Sequence, residues 1–128
     1  MLGESKAKTL TRQVLSYSKA DQTEVVLLAE DSGLTRFANS YIHQNVAESN
    51  AEVRVRVVLG KKIGVSTTND TSETGLKRVV ESATTIARFQ QENPDFISLP
   101  GPSAAYPSVT AFVEDTASAT PAQRAKAV

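Results

Sequence analysis

His43 is the only histidine in the 128-residue chain, and it lies in the densest polar stretch, LTRFANSYIHQN, from Leu34 to Asn45. Around it, Arg36, Asn39, Gln44 and Asn45 carry fixed donors and acceptors, groups suited to holding peptide backbone or a partner loop. Where this stretch is extended, neighbouring side chains point to opposite faces, so His43 and Asn45 share one side and Gln44 takes the other. Substrate or partner recognition is therefore assigned to Arg36, Asn39, His43, Gln44 and Asn45, with turn or bulge hydrogen bonding the competing role for Asn39. A zinc hydrolase needs three protein ligands and a glutamate to manage the proton of the metal-bound water. One histidine and no cysteine do not supply that set, so no catalytic residue, metal ligand or cofactor is assigned within this chain. The chain also lacks HExxH, GxSxG, GxxxxGK[ST] and a GxGxxG following a strand, the motifs of zinc proteases, serine hydrolases and nucleotide binders.

Composition narrows the class further. Fourteen basic and fourteen acidic side chains cancel, so the long-range field that gathers phosphate backbones is missing from the whole-chain balance and no nucleic-acid partner is expected. No apolar run approaches the roughly 20 residues that span a bilayer, and MLGESKAKTLTRQ lacks the apolar segment of a secretory signal. With no disulfides available, a soluble cytoplasmic protein without a membrane partner is expected. Apolar residues make up 40% of the chain but aromatic residues only 5%, which points to a core of Val, Leu, Ile and Ala.

The elements that must position the polar stretch follow from periodicity. Ala7, Leu10, Val14 and Tyr17 recur at helical steps between Ser5 and Lys19, and Leu76, Val79, Val80, Ala83, Ile86 and Ala87 form a longer stripe between Thr71 and Gln91. Asp70 with Glu73 has capping-box spacing, with Thr71 or Ser72 as alternative caps, and Asn93-Pro94 closes the helix. Strands are expected over Thr23–Glu30, Leu34–Ala38 and Ile42–Glu48. The clearest strand is Ala51–Leu59, where Val53, Val55, Val57 and Leu59 share a face opposite Glu52, Arg54 and Arg56.

Three connections are read from turn chemistry. Asp31-Ser32-Gly33 is expected to close a hairpin with Gly33 in the left-handed region, Asn39-Ser40 to be a bulge or bend, and Ser49-Asn50 to be a turn. Gly60-Lys61-Lys62 is expected as a three-residue loop, because that register sets Ile63 beside Leu59 and Val65 opposite Val57. Beyond Pro94 the chain becomes rich in Pro, Ala, Ser and Thr. A short edge strand over Val109–Val113 and a helix capped by Thr120 with Pro121 in its first turn are expected there. The fold class is α+β: an antiparallel, mainly meander sheet packed against two helices, followed by a Pro-rich extended linker. Residues 1–100 are assigned to an N-terminal domain and 101–119 to the linker. Residues 120–128 are read as the start of a helix leading into a further region.

Taken in order, LTRFANSYIHQN, VRVRVVLGKKIGVSTTND, ESATTIAR and NPDFISLPGP resemble the N-terminal domain of the TldD/PmbA family, also called modulator of DNA gyrase. TPAQRAKAV resembles that family's lead into its following region. The resemblance implies a cytosolic two-domain protein that pairs, as homo- or heterodimer, with a family subunit to form a metal-dependent peptidase. The implied substrates are peptides such as modified microcin precursors and an unfolded antitoxin. The family's HExxxH motif belongs to the TldD-type subunit beyond the matched region, so no catalytic residue carries over. A divalent metal, zinc first, is implied for the full-length assembly of the catalytic type. This domain would then shape the substrate channel or the subunit contact. The alternative is a non-catalytic interaction domain, of the PmbA-type partner subunit, that docks a protein or peptide.

Overall fold

The computed structural model describes residues 2–103 and 105–128. Its elements run α1 (Glu4–Tyr17), β1 (Gln22–Ala38), β2 (Tyr41–Leu59), β3 (Lys62–Thr68), α2 (Glu73–Phe89), α3 (Glu114–Ala117) and α4 (Pro121–Lys126). The strands form an antiparallel meander in the order β1-β2-β3, and the class is α+β, as expected. The chain parts into two compact units, residues 2–30 with 50–100 and residues 31–49 with 101–128. Among the described residues no helix is long and apolar enough to cross a membrane.

The first unit holds the core. Val53, Val55 and Val57 alternate along β2 and are essentially buried. They meet Leu76, Val79, Val80, Ala83 and Ala87 of α2 together with Leu10 and Val14 of α1. Period 2 on the strand and period 3.6 on the helices thus bring two apolar faces together. Burying each large aliphatic side chain contributes about 1.5–3 kcal/mol. Ile86 departs from the expected stripe: it lies at the margin, 39% exposed. Ser72 is the helix cap, its hydroxyl accepting from the Gly75 N–H at 3.2 Å, while Asp70 accepts from the Ser72 N–H at 2.9 Å. Glu73 pairs instead with Lys77 one turn on, at 2.6 Å. After α2 the chain is tied back to the sheet: the Asn93 N–H donates to Lys61 O at 3.0 Å, and the Leu99 N–H donates to Gln22 Oε1 at 2.8 Å.

The β2–β3 connection corrects the expected loop. Leu59 pairs with Lys62, Val57 with Gly64 and Arg56 with Val65, so the turn has two residues, with Gly60 at φ 61°. The three-residue register assumed that every core-facing position of β3 must carry an apolar side chain. Gly64 removes that need. A Cβ on it would lie 2.0 Å from Ala83 O and 2.5 Å from Ala87 N, so the backbone of α2 itself fills the place opposite Val57.

The expected short strands also merge. β1 runs without a break through Asp31-Ser32-Gly33, and β2 runs through Ser49-Asn50. Polar residues that look like turn formers are cross-strand partners: Ser49 Oγ donates to Asp31 Oδ1 at 2.6 Å. Asn50 Oδ1 accepts from Asn69 Nδ2 at 2.6 Å. The hairpin turns at Asn39-Ser40, both left-handed with φ 51° and 56°. Two such residues match the right-handed twist of long paired strands. In the tail, residues 109–113 form no strand. Asp115 and its neighbours make the short α3, and α4 has the expected start. Thr120 Oγ1 accepts from the Gln123 N–H, and Gln123 Oε1 accepts from the Thr120 N–H at 2.7 Å.

Candidate functional site

All five residues singled out for recognition fall on the outer part of the hairpin, within the second unit. Arg36 is exposed near the end of β1. Asn39 occupies the first left-handed turn position, so backbone geometry is one of its roles. His43 is exposed and meets Tyr41 edge to face, ring centroids 5.5 Å apart and planes at 75°. Gln44 is exposed. Asn45 is fixed more firmly, its Oδ1 accepting from the Thr35 hydroxyl at 2.6 Å.

Two residues that sequence reasoning passed over complete this arrangement. Arg124 Nε donates to Thr35 Oγ1 at 2.9 Å, and the same guanidinium donates to Ala119 O. The path Arg124, Thr35, Asn45 thus joins α4 to both strands of the hairpin. Gly33 admits it, since a Cβ there would stand 3.1 Å from the guanidinium. A glycine inside a strand marks such a close approach, and that was the one available signal. A shallow cavity of about 830 Å³ lies alongside, lined by Gly33, Ala47, Asp115, Ala119, Pro121 and Arg124 among others.

Burial sets this unit apart. Every buried residue of the described chain belongs to the first unit. The second unit exposes Leu34, Phe37, Tyr41, Tyr106, Val109, Phe112 and Val113. Exposed apolar side chains on this scale, interleaved with polar donors, are the composition of a contact surface. Among the described residues no three His, Cys, Asp or Glu side chains gather as a metal-ligand group. What this surface can do chemically is form hydrogen bonds and bury aromatic area.

Fold and surface together define a small α+β domain that presents a long hairpin. Residues 23–87, just over half of the chain, match the family model described as PmbA/TldA metallopeptidase domain 1, and the chain belongs to this TldD/PmbA family as its first domain. Among solved structures, it is similar to TldE from Thermococcus kodakarensis, with a TM-score of 0.69 at 17% identity. That match covers 81% of this chain and 23% of the other. It is also similar to a candidate modulator of DNA gyrase from Bacteroides thetaiotaomicron, with a TM-score of 0.70 at 17% identity, covering 98% of this chain and 30% of the other. The chain therefore spans less than a third of either relative. No match was found among curated proteins.

Proposed function

We propose that this chain serves as the contact-forming first domain of a TldD/PmbA-type, metal-dependent peptidase assembly in the cytoplasm. Its hairpin and tail bind the paired subunit or the peptide on its way to the catalytic centre. The observation that carries this reading is the second unit's lack of any buried side chain among its described residues, together with seven large apolar side chains left open. A unit of this size without a core gains its apolar burial from a partner. Family membership supplies the peptidase context. The hydrogen-bonding residues Arg36, His43, Gln44 and Asn45 would fix the register of an extended partner, while the aromatic residues supply area.

The metal implied by the family does not fit the residues of this chain. A divalent zinc centre asks for three nitrogen, sulfur or carboxylate ligands converging on one point, and no such group forms among the described residues. Hydrolysis would belong to other parts of the assembly. The test is replacement of Arg36, His43 and Gln44 by Ala together in the full-length protein, read by sedimentation and by binding of a labelled unstructured peptide. Weakened assembly or weakened peptide binding is expected. Wild-type values in both would remove the proposal.

A further inference from the structure

β1 is an edge strand, and its outer side is open. Among the described residues no main-chain hydrogen bond reaches it from a helix, loop or tail. Gly33 is exposed, and with no side chain what it exposes is main chain. Edge strands that must stay single are kept short or carry lysine or proline. This one runs from Gln22 to Ala38 with neither.

A copy of the same strand fits that edge in one register. Two copies pair antiparallel about a two-fold axis normal to the sheet, which leaves every side chain on its own face, so opposed positions differ by an even number. Arg36 is the one basic residue of β1. Opposing it to Glu24 would set Glu30 against its own copy, like charge on like, and would compete with Arg56, which already holds Glu24 at 2.6 Å. Asp31 lies on the other face. Opposing Arg36 to Glu30 leaves no like charges face to face and puts Gly33 on the axis. Ala29 then meets Phe37 of the other copy, Leu28 meets Ala38 and Asp31 meets Thr35. Thr35 is the residue that accepts from Arg124 Nε at 2.9 Å, so Asp31 of one copy comes beside Arg124 of the other. Within its own chain Arg124 is half-buried and has no carboxylate partner among the described residues. A carboxylate accepts several donors at once, so the bond from Ser49 to Asp31 is compatible with this second contact.

We propose that β1 pairs edge to edge with β1 of a second copy of this chain, from Leu28 to Ala38 about Gly33, and so joins the two 3-stranded sheets into one. The proposal rests on the contact-surface reading and commits its partner: the paired subunit is an identical one, held by Glu30 with Arg36 on one face of the sheet and Asp31 with Arg124 on the other.

The test uses the full-length protein, with self-association read by sedimentation over a dilution series and folding by thermal melts. Glu30→Lys and Arg36→Glu are each expected to weaken self-association about tenfold, because each turns two cross-strand attractions into repulsions. Combining them restores the pairs with their signs exchanged, and association is expected to return. The register is read separately. These 128 residues contain no cysteine, so Ser32→Cys and Leu34→Cys proteins, mixed and oxidised, are expected to form a disulfide between the two new thiols, identified by peptide mass. Opposed Cα atoms lie about 4.5–5.5 Å apart, within disulfide reach. Either protein oxidised alone is offset by two positions and is expected to stay uncoupled. A monomeric wild type, a double variant that stays as weak as the single ones, or a mixture that does not cross-link would each overturn the proposal. If one of these results comes with weakened peptide binding on replacing Arg36, His43 and Gln44, the contact surface stands without this pairing. If neither assembly nor peptide binding changes in any variant, both fail.

Discussion

Replacing Gly64 by Ala asks how tightly α2 sits on β3. The added carbon would lie 2.0 Å from Ala83 O, 2.5 Å from Ala87 N and 3.0 Å from Ala87 Cα. All three are backbone atoms, so no side chain can swing aside. Restoring an ordinary contact of about 3.4 Å requires the helix to withdraw by about 1.4 Å. α2 is held by Leu76, Val79, Val80, Ala83 and Ala87, none more than 4% exposed. Their burial contributes about 8 kcal/mol in all, taking roughly 2 for each large side chain and roughly 1 for each alanine. A gap of this size forfeits about a quarter or more of the packing, hence about 2 kcal/mol, and residual overpacking adds about 1–3 kcal/mol. The expected cost is about 4 kcal/mol, a fall in melting temperature of roughly 15–30 °C for a unit of this size. Gly60→Ala is the matched control. Gly60 has φ +61° with nothing within 4 Å of a Cβ, so its cost is conformational, about 1 kcal/mol. Urea and thermal melts followed by circular dichroism measure both. Equal shifts, or a smaller one for Gly64→Ala, would refute the close backbone contact.

Other consequences are as direct. Ser40 holds φ 56° without being glycine, so Ser40→Gly is expected to stabilise the hairpin by about 0.5–1 kcal/mol and Ser40→Val to destabilise it. Amide exchange protection across residues 35–45 reports the sign of each. The Asp70 carboxyl is held below its ordinary value of 3.8 by the Ser72 hydroxyl and then by the Ser72 N–H. The folded state therefore releases this proton more readily than the unfolded one. The stabilisation is complete above pH 3.8 and is lost as pH falls through the lower folded value. Asp70→Asn should accordingly melt lower than wild type at neutral pH, with the difference closing in strong acid; a constant difference across that range would count against the Asp70–Ser72 hydrogen bonds as its source.

The parts of the fold that sequence periodicity revealed are those where one face is uniformly apolar. Val53, Val55 and Val57 alternate, and Leu76 to Ala87 keep the helical step, so both elements and their contact are legible. Turn chemistry misleads at Asp31-Ser32-Gly33, because Asp31 pairs across the strands with Ser49 and Gly33 leaves room for Arg124. The β2–β3 register was missed for a related reason: hydrophobic pattern cannot show that a helix backbone, rather than a side chain, fills a core position. The polar residues of the hairpin could be located from LTRFANSYIHQN, and the structure keeps them together on one unit. Their support could not, because Arg124 stands 89 positions from Thr35 in sequence.

The two left-handed residues at Asn39-Ser40 also bear on the order in which the molecule assembles. Joining the strands on either side of them closes a two-residue loop, as short as the Gly60-Lys61 turn between β2 and β3, an event on the order of microseconds, whereas seating α1 and α2 on β2 brings together residues far apart in the chain and pays more entropy of closure. The hairpin can zip outward from its own turn, which makes Asn39 and Ser40 the starting point from which each later strand position inherits its partner. Substitutions at that turn should then change the folding rate, while Gly64→Ala should act mainly on the rate of unfolding, and stopped-flow kinetics of the two variants would separate these limbs.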